Sequence, residues 1–280
     1  MKGGASVSWL ESYGAVHADG IGANDPDWAV ANAAVRKALD AQRPAERLEA
    51  WHARAKAELD GRSGGVIHTG MGYALCEKAL LGDAFDTAGL DLDAMRVTDR
   101  ERLWLELVSD GVLPTADPMA EPLSYQTGAA WEKLLRDSLT KEGGDHWFSR
   151  YHLGVMAAAR GDIAGAKREF DASLARNENP WAMRCLAVCL KKEGDTAEAA
   201  ELLLKAAAMK PIRPLIVEAL AALLDRERYA DMLSLTDGLP SSLRENGRVK
   251  TFIVAALLRT GRVEEAGALL TGPFVLTDVR

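Results

Sequence analysis

Gly161-Asp162-Ile163-Ala164-Gly165-Ala166-Lys167-Arg168-Glu169-Phe170 decides the fold, because the chain writes the same pattern again from Gly194 to Leu203 and from Gly261 to Leu270. In each copy an alanine follows the first glycine by five residues (Ala166, Ala199, Ala266), and a large apolar residue follows four later (Phe170, Leu203, Leu270). The glycines lie 33 and 67 residues apart, so a degenerate copy is expected between the second and the last. A period near 34 implies stacked helix–turn–helix units. Such units bury their apolar faces on one another and usually present a surface to a partner.

Each copy has a local grammar. Trp147 to Arg160 carries apolar residues at helical spacing and stops at Gly161, where glycine can take the left-handed conformation that ends a helix. Asp162 can then cap the next helix, small Ala166 permits close approach, and Phe170 and Leu174 fill the seam. The second unit repeats this with Trp181 to Glu193, Gly194, Asp195, Ala199, Leu203 and Ala206, and Pro211 follows its end. The fourth runs from Val249 to Thr260 and on through Gly261, Ala266 and Leu270. In the irregular third unit the expected glycine falls at Arg228 and the seam residue at Asp237, with helices near Leu215–Asp225 and Tyr229–Leu235 in a shifted register.

Leu153-Gly154, Gly161, Ala166 and Phe170, then Leu186-Ala187, Gly194, Ala199, Ala206 and Pro211, resemble tetratricopeptide repeats. The first-helix tyrosine of that family is replaced by Ala157 and Leu190, and Pro180 comes two residues late. The resemblance implies an all-α, right-handed solenoid of stacked hairpins whose first helices line a concave groove. Carried over by position, that groove holds Phe148, Tyr151, Val155, Trp181, Arg184, Val188, Lys191 and Lys192, with Arg226, Arg248 and Arg259 adding positive charge. Aromatics mixed with Arg and Lys can receive an acidic or carboxylate-bearing segment. Alternatively, Lys191 and Lys192 only solvate a helix end and complement its dipole, and the aromatics are covered by another domain.

Composition narrows the classes. Hydrophobic residues are 48% and charged residues 27% of 280, an ordinary globular balance. A net charge of −7 argues against a nucleic-acid partner, which needs a basic face. Apolar runs are too short to span a bilayer, and no apolar h-region follows Met1-Lys2-Gly3-Gly4, so neither membrane insertion nor a signal peptide is expected. The three cysteines, Cys76, Cys185 and Cys189, form no secreted disulfide framework, and a reducing cytoplasm is the expected location.

Residues 1–25 read as an irregular segment that packs on helices, 26–142 as a helical region with a glycine-rich loop at 61–72, and 143–280 as the repeats. In the middle region Asp25-Pro26 starts a helix with Trp28, Val30, Ala34, Val35 and Leu39 on one face, and a second runs from Pro44 to Leu59. Two more are expected at Thr98–Ser109 and Gly128–Leu139, around a proline-rich loop from Pro114 to Pro122. Gly70-Met71-Gly72 lacks a nucleotide fingerprint.

Trp9-Leu10-Glu11-Ser12-Tyr13-Gly14, Asp27-Trp28, His68-Thr69-Gly70, Gly128-Ala129-Ala130-Trp131 and Asp145-His146-Trp147 through Met156 are together similar to the C-terminal helical half of a bacterial domain-of-unknown-function family. Its members join a mutarotase-like β-supersandwich to tetratricopeptide repeats. The resemblance implies docking to a β domain and a carbohydrate-related role. Tyr73 and Ala74 depart from that family's pattern, and no β-rich region precedes Trp9.

Catalytic candidates are sparse. Glu11 and Glu77 are the acids nearest the non-helical stretches, and a glycosidase needs two carboxylates facing one sugar. Trp9, Tyr13, His68, Gly70 and Tyr73 mark a possible ligand loop, although the aromatics can equally anchor irregular segments to the core. The histidines lack a helical metal-pair spacing, so no metal and no cofactor is expected. The sequence therefore reads as an interaction scaffold that docks a protein partner or a missing β domain. The alternative is the helical half of a carbohydrate-active protein.

Overall fold

The structure, a computed structural model, describes residues 7–60, 72–87, 92 and 97–272. The chain divides into two units, Met1–His68 and Thr69–Arg280.

In the first unit Asp19 caps a single turn, α1 (Gly20–Ala23), and Asp27 caps α2 (Trp28–Gln42). The helix therefore starts two residues later than Asp25-Pro26 implies, because the Asp27 carboxylate, not Asp25, takes the first free N–H, that of Ala29. Pro44 starts α3 (Ala45–Asp60). The Gln42 side chain donates to the carbonyl of His17 at 3.0 Å, which holds the irregular segment against the end of α2. Among the described residues of this unit only Ala31 is buried.

The second unit begins with α4 (Tyr73–Leu81), which a single 3₁₀ turn follows, then α5 (Asp99–Asp110) and α6 (Ala129–Ser138). Thr98 and Glu101 form a reciprocal capping box at the head of α5. Helix α4 begins directly after the expected loop at 61–72 and takes in Tyr73, expected in the possible ligand loop. Gly72, at φ +75°, releases the chain into Ala74-Leu75-Cys76-Glu77-Lys78-Ala79-Leu80, a run rich in helix formers.

Four hairpins follow: α7 (Trp147–Ala159) with α8 (Ile163–Arg176), α9 (Pro180–Glu193) with α10 (Thr196–Met209), α11 (Arg213–Asp225) with α12 (Tyr229–Asp237), and, after a one-turn insertion α13 (Ser241–Arg244), α14 (Gly247–Arg259) with α15 (Val263–Leu270). Each helix packs on its hairpin mate, and successive hairpins stack. Ala166, Ala199 and Ala266 are fully buried between helices. The all-α, tetratricopeptide-like solenoid expected from the repeat is the fold observed.

All four reversals share one hydrogen-bond scheme. The residue after each turn donates its N–H to a carbonyl five residues back: Asp162 to Ala157, Asp195 to Leu190, Arg228 to Leu223 and Arg262 to Leu257, at 2.8–3.0 Å. The left-handed residues that allow this are Gly161, Gly194, Glu227 and Gly261. The third-unit turn therefore lies at Glu227, not Arg228, which keeps the spacing at 33 residues from Gly194. The same register puts Thr236, not Asp237, in the seam. Met232 and Thr236 stand where Ala199 and Leu203 stand one unit earlier, and both are buried. The large and small positions have exchanged, which conserves the filled volume.

The caps also change. Asp162 and Asp195 accept the N–H of Gly165 and Glu198. Arg228 and Arg262 cannot accept, and instead pair with Asp231 and Glu265 in the first turn. Those acids lie where a helix N-terminus favours negative charge. Helix α6 is tied to the first hairpin by a chain of charges. Arg136 bridges Glu132 and Glu169 at 2.8 and 2.9 Å, Arg150 bridges Glu169 and Asp145 at 3.0 and 2.8 Å, and Arg176 also reaches Asp145. Arg150, then Arg176, pull the Asp145 carboxyl down to about 2.

Glu227 has φ 57°, and a left-handed non-glycine residue costs roughly 1 kcal/mol. Glu227→Gly is therefore expected to stabilise the repeats by about 0.5–1 kcal/mol, read as a higher denaturation midpoint at unchanged m-value. Conversely, a Cβ added at Gly154 would stand 2.6 Å from Cδ1 of the buried Phe170 ring. Gly154→Ala is expected to destabilise by about 1–3 kcal/mol despite its better helix propensity, and Gly154→Ala with Phe170→Leu to recover part of that loss, as the native Ala187 and Leu203 pair does one unit later.

Candidate partner-binding surface

Successive first helices α7 and α9 present tryptophans 34 residues apart, and both reach the same proline-rich segment. The Trp147 indole donates to the carbonyl of Ala116 at 2.9 Å, and that of Trp181 to the carbonyl of Pro118 at 3.0 Å. His146 Nδ1 accepts the N–H groups of Phe148 and Ser149, capping α7, so the opposite nitrogen, Nε2, carries the proton and donates to the carbonyl of Leu113 at 2.9 Å. Further along, Tyr125 and Tyr151 hydroxyls meet at 3.1 Å, and Trp104 donates to Ser124. Residues 112–126 thus form a strap across the first two hairpins.

The strap changes which groove residues are available. Phe148, Tyr151 and Trp181, expected to face a partner, are only 4%, 3% and 6% exposed. Phe148 and Tyr151 form an aromatic layer with Trp147, Tyr125 and His152, in which Phe148 and Tyr151 stack at 6.4 Å. A strap joined by carbonyl–indole bonds leaves no sign in the repeat pattern, which is why the sequence places these side chains in a groove open to a partner or to another domain. Arg184 is half-buried and grips Glu218 of α11 through Nε and Nη2, both at 2.7 Å. Lys191 and Lys192 are exposed at the end of α9, with no salt bridge among the described residues.

Two openings remain on this face. One is a cleft of about 240 Å³ between α7 and α9, lined by Val155, Ala158, Ile163, Phe170, Val188 and two cysteines, with Arg184 and Lys192 as its charged groups. The other is a pocket of about 120 Å³ where the strap ends, walled by Tyr125, Tyr151, Trp181, Arg184, Ile212 and Pro214. Burial holds the Cys185 thiol up at about 11 and raises both tyrosines, so all three stay protonated at neutral pH.

The other candidates are divided between the two units. Glu11, which accepts the Tyr13 hydroxyl, and Glu77 belong to different units. Glu77 is buried and accepts the Trp131 indole N–H, joining α4 to α6. Trp9 and Tyr13 are 71% and 89% exposed, and Tyr73 is exposed on the first turn of α4. His68 and Gly70 lie outside the described residues. No described helix is long and apolar enough to cross a membrane.

His152 was not singled out by the sequence. It is fully buried beneath Trp104, Phe148, Tyr125 and Tyr151, and neither ring nitrogen has a hydrogen-bond partner. Burial, reinforced by His146, pushes it down to about 3, and burial lowers His146 as well.

No protein-family model matches the chain, and no curated protein matches it. Solved structures of MamA AMB-1 are similar to it. The P212121 form is 22% identical over 51% of this chain and 79% of its own, with a TM-score of 0.41. The C2221 form is 21% identical over 51% and 85%, with a TM-score of 0.39. A likeness at this level carries no inference about what the chain binds.

An unfolded imidazole titrates near 6.5, so between that value and about 3 the unfolded chain binds the proton that folded His152 refuses. The stability held by neutral His152 is complete above 6.5 and drains as pH falls toward 3, at roughly 1.4 kcal/mol per pH unit. Urea unfolding at several pH values between 7 and 4 is expected to show this slope, steepened by His146. His152→Leu should flatten it while leaving the carboxylate contribution unchanged.

Proposed function

We propose that this chain is a helical-repeat scaffold that docks a protein partner on the concave face of its first helices. The observation that supports it best is the cleft between α7 and α9. Its lining is apolar, its charged groups are cationic, and it lies open beside a segment of polypeptide already seated on the same helices. An apolar floor with cations at the rim suits an extended or helical segment bearing carboxylates, because burial of its apolar side chains drives association while charge sets its register. Arg184 and Lys192 are the basic groups of that rim, Lys191 is exposed next to Lys192 at the end of α9, and Val188 is the exposed apolar contact. A β domain of the kind implied by the family resemblance is one polypeptide that such a face could hold.

A photo-crosslinking side chain at Val188 tests this reading. Irradiation in extracts of the source cells is expected to give discrete polypeptide adducts at Val188 and none from the same group at Arg168 on α8. Lys191→Glu with Lys192→Glu should cut adduct yield at least fivefold. Equal labelling from both faces, or no adduct at Val188, defeats the proposal.

A further inference from the structure

Resting on the docking reading above, we infer that the pocket beyond the strap receives an extended, proline-bearing segment of the partner protein. The strap itself shows what this face can hold. It carries Pro114, Pro118 and Pro122, and the repeat-spaced indoles of Trp147 and Trp181 grip it through backbone carbonyls at Ala116 and Pro118. That mode reads a chain whose amides need no partner, which is the property of proline-bearing extended segments: they keep strong carbonyl acceptors, lack N–H groups at proline, and are stiff before binding.

The pocket continues the same surface. Trp181, which holds Pro118, also forms one wall, with Tyr125 and Tyr151 beside it and Ile212 and Pro214 across. Flat aromatic walls and a volume of about 120 Å³ suit a pyrrolidine ring, and aromatic-lined grooves are a recurrent receptor for such segments. Polar donors are also in place. Tyr151 meets both the Tyr125 hydroxyl and the Cys185 thiol, so when Tyr125 accepts from Tyr151 it keeps its own hydrogen to donate. Arg184 gives Nε and Nη2 to Glu218, leaving Nη1 without a hydrogen bond among the described residues. A partner carbonyl entering the pocket therefore meets donors rather than competing acceptors, apart from Glu121 at the rim.

Fluorescence titration with two blocked synthetic peptides, octaproline and an acidic proline-free octapeptide, tests this. Octaproline is expected to change tryptophan emission saturably, and Tyr125→Ala to weaken its binding at least tenfold, because Tyr125 is half-exposed and its loss removes one wall. Pro214→Gln, at an exposed position opening α11, is expected to weaken it severalfold and serves where Tyr125→Ala loosens the strap. Both variants should leave binding of the acidic peptide within twofold. No octaproline binding at millimolar concentration, or binding indifferent to both variants, overturns the inference. Acidic-peptide binding lost in Lys191→Glu/Lys192→Glu, with octaproline inert, overturns it while leaving the docking function standing.

Discussion

Reversing the chain between two helices without leaving carbonyls unpaired is the constraint on which residues 147–270 depend. One residue must take positive φ, and the next must reach back across the turn to a carbonyl of the last helical turn. Once that geometry is set, the alanine and the seam residue fall on the inner face of the second helix automatically, because their offsets from the turn are fixed by the helical repeat. The third unit shows the order of cause. Glu227 adopts the left-handed conformation at a local cost that stacking against two neighbouring hairpins overrides. Glycine makes the turn cheap, while tertiary packing makes it obligatory.

The strap follows from a second constraint. The first helices of the first two hairpins carry large aromatic side chains on the face that the repeat leaves open, and the Pro114–Pro122 segment covers them. Its prolines remove donors that would otherwise need partners, and the indoles supply hydrogens to its carbonyls. The result is a wall in which polar pairing is nearly complete, His152 and the side-chain oxygen of Gln126 being exceptions. An imidazole held neutral without a partner costs stability that an apolar side chain of similar size would not, and that cost persists beneath the layer facing the groove.

How much was legible in the sequence varies with the range of the interactions. The hairpins were legible almost to the residue, since period, terminal glycine, cap and small contact are all local signals: Trp147, Gly161, Asp162 and Ala166 lie where they were placed. The third turn was misplaced by one residue because Glu227 carries no glycine to announce it. Helix α4 was missed because the neighbouring glycines drew Tyr73 into a loop. The covering of Phe148, Tyr151 and Trp181 was illegible for a stronger reason. It depends on carbonyls at Leu113, Ala116 and Pro118, and backbone acceptors have no residue type to read.

The strap is also what gives the face its shape. Tyr125 and Glu121 belong to the strap, while Tyr151, Trp181 and Arg184 belong to the hairpins, so the pocket at their junction exists only when the strap is seated. A ligand that uses both walls binds the seated state alone, and by linkage it stabilises that state by an amount that grows with the logarithm of its concentration over its Kd. The same coupling runs through α7. His146 caps the helix with one nitrogen and holds Leu113 with the other, so the neutral imidazole serves helix and strap together. Fold stability and the shape of the proposed binding face are therefore two readings of one set of contacts, and what loosens the strap loosens both.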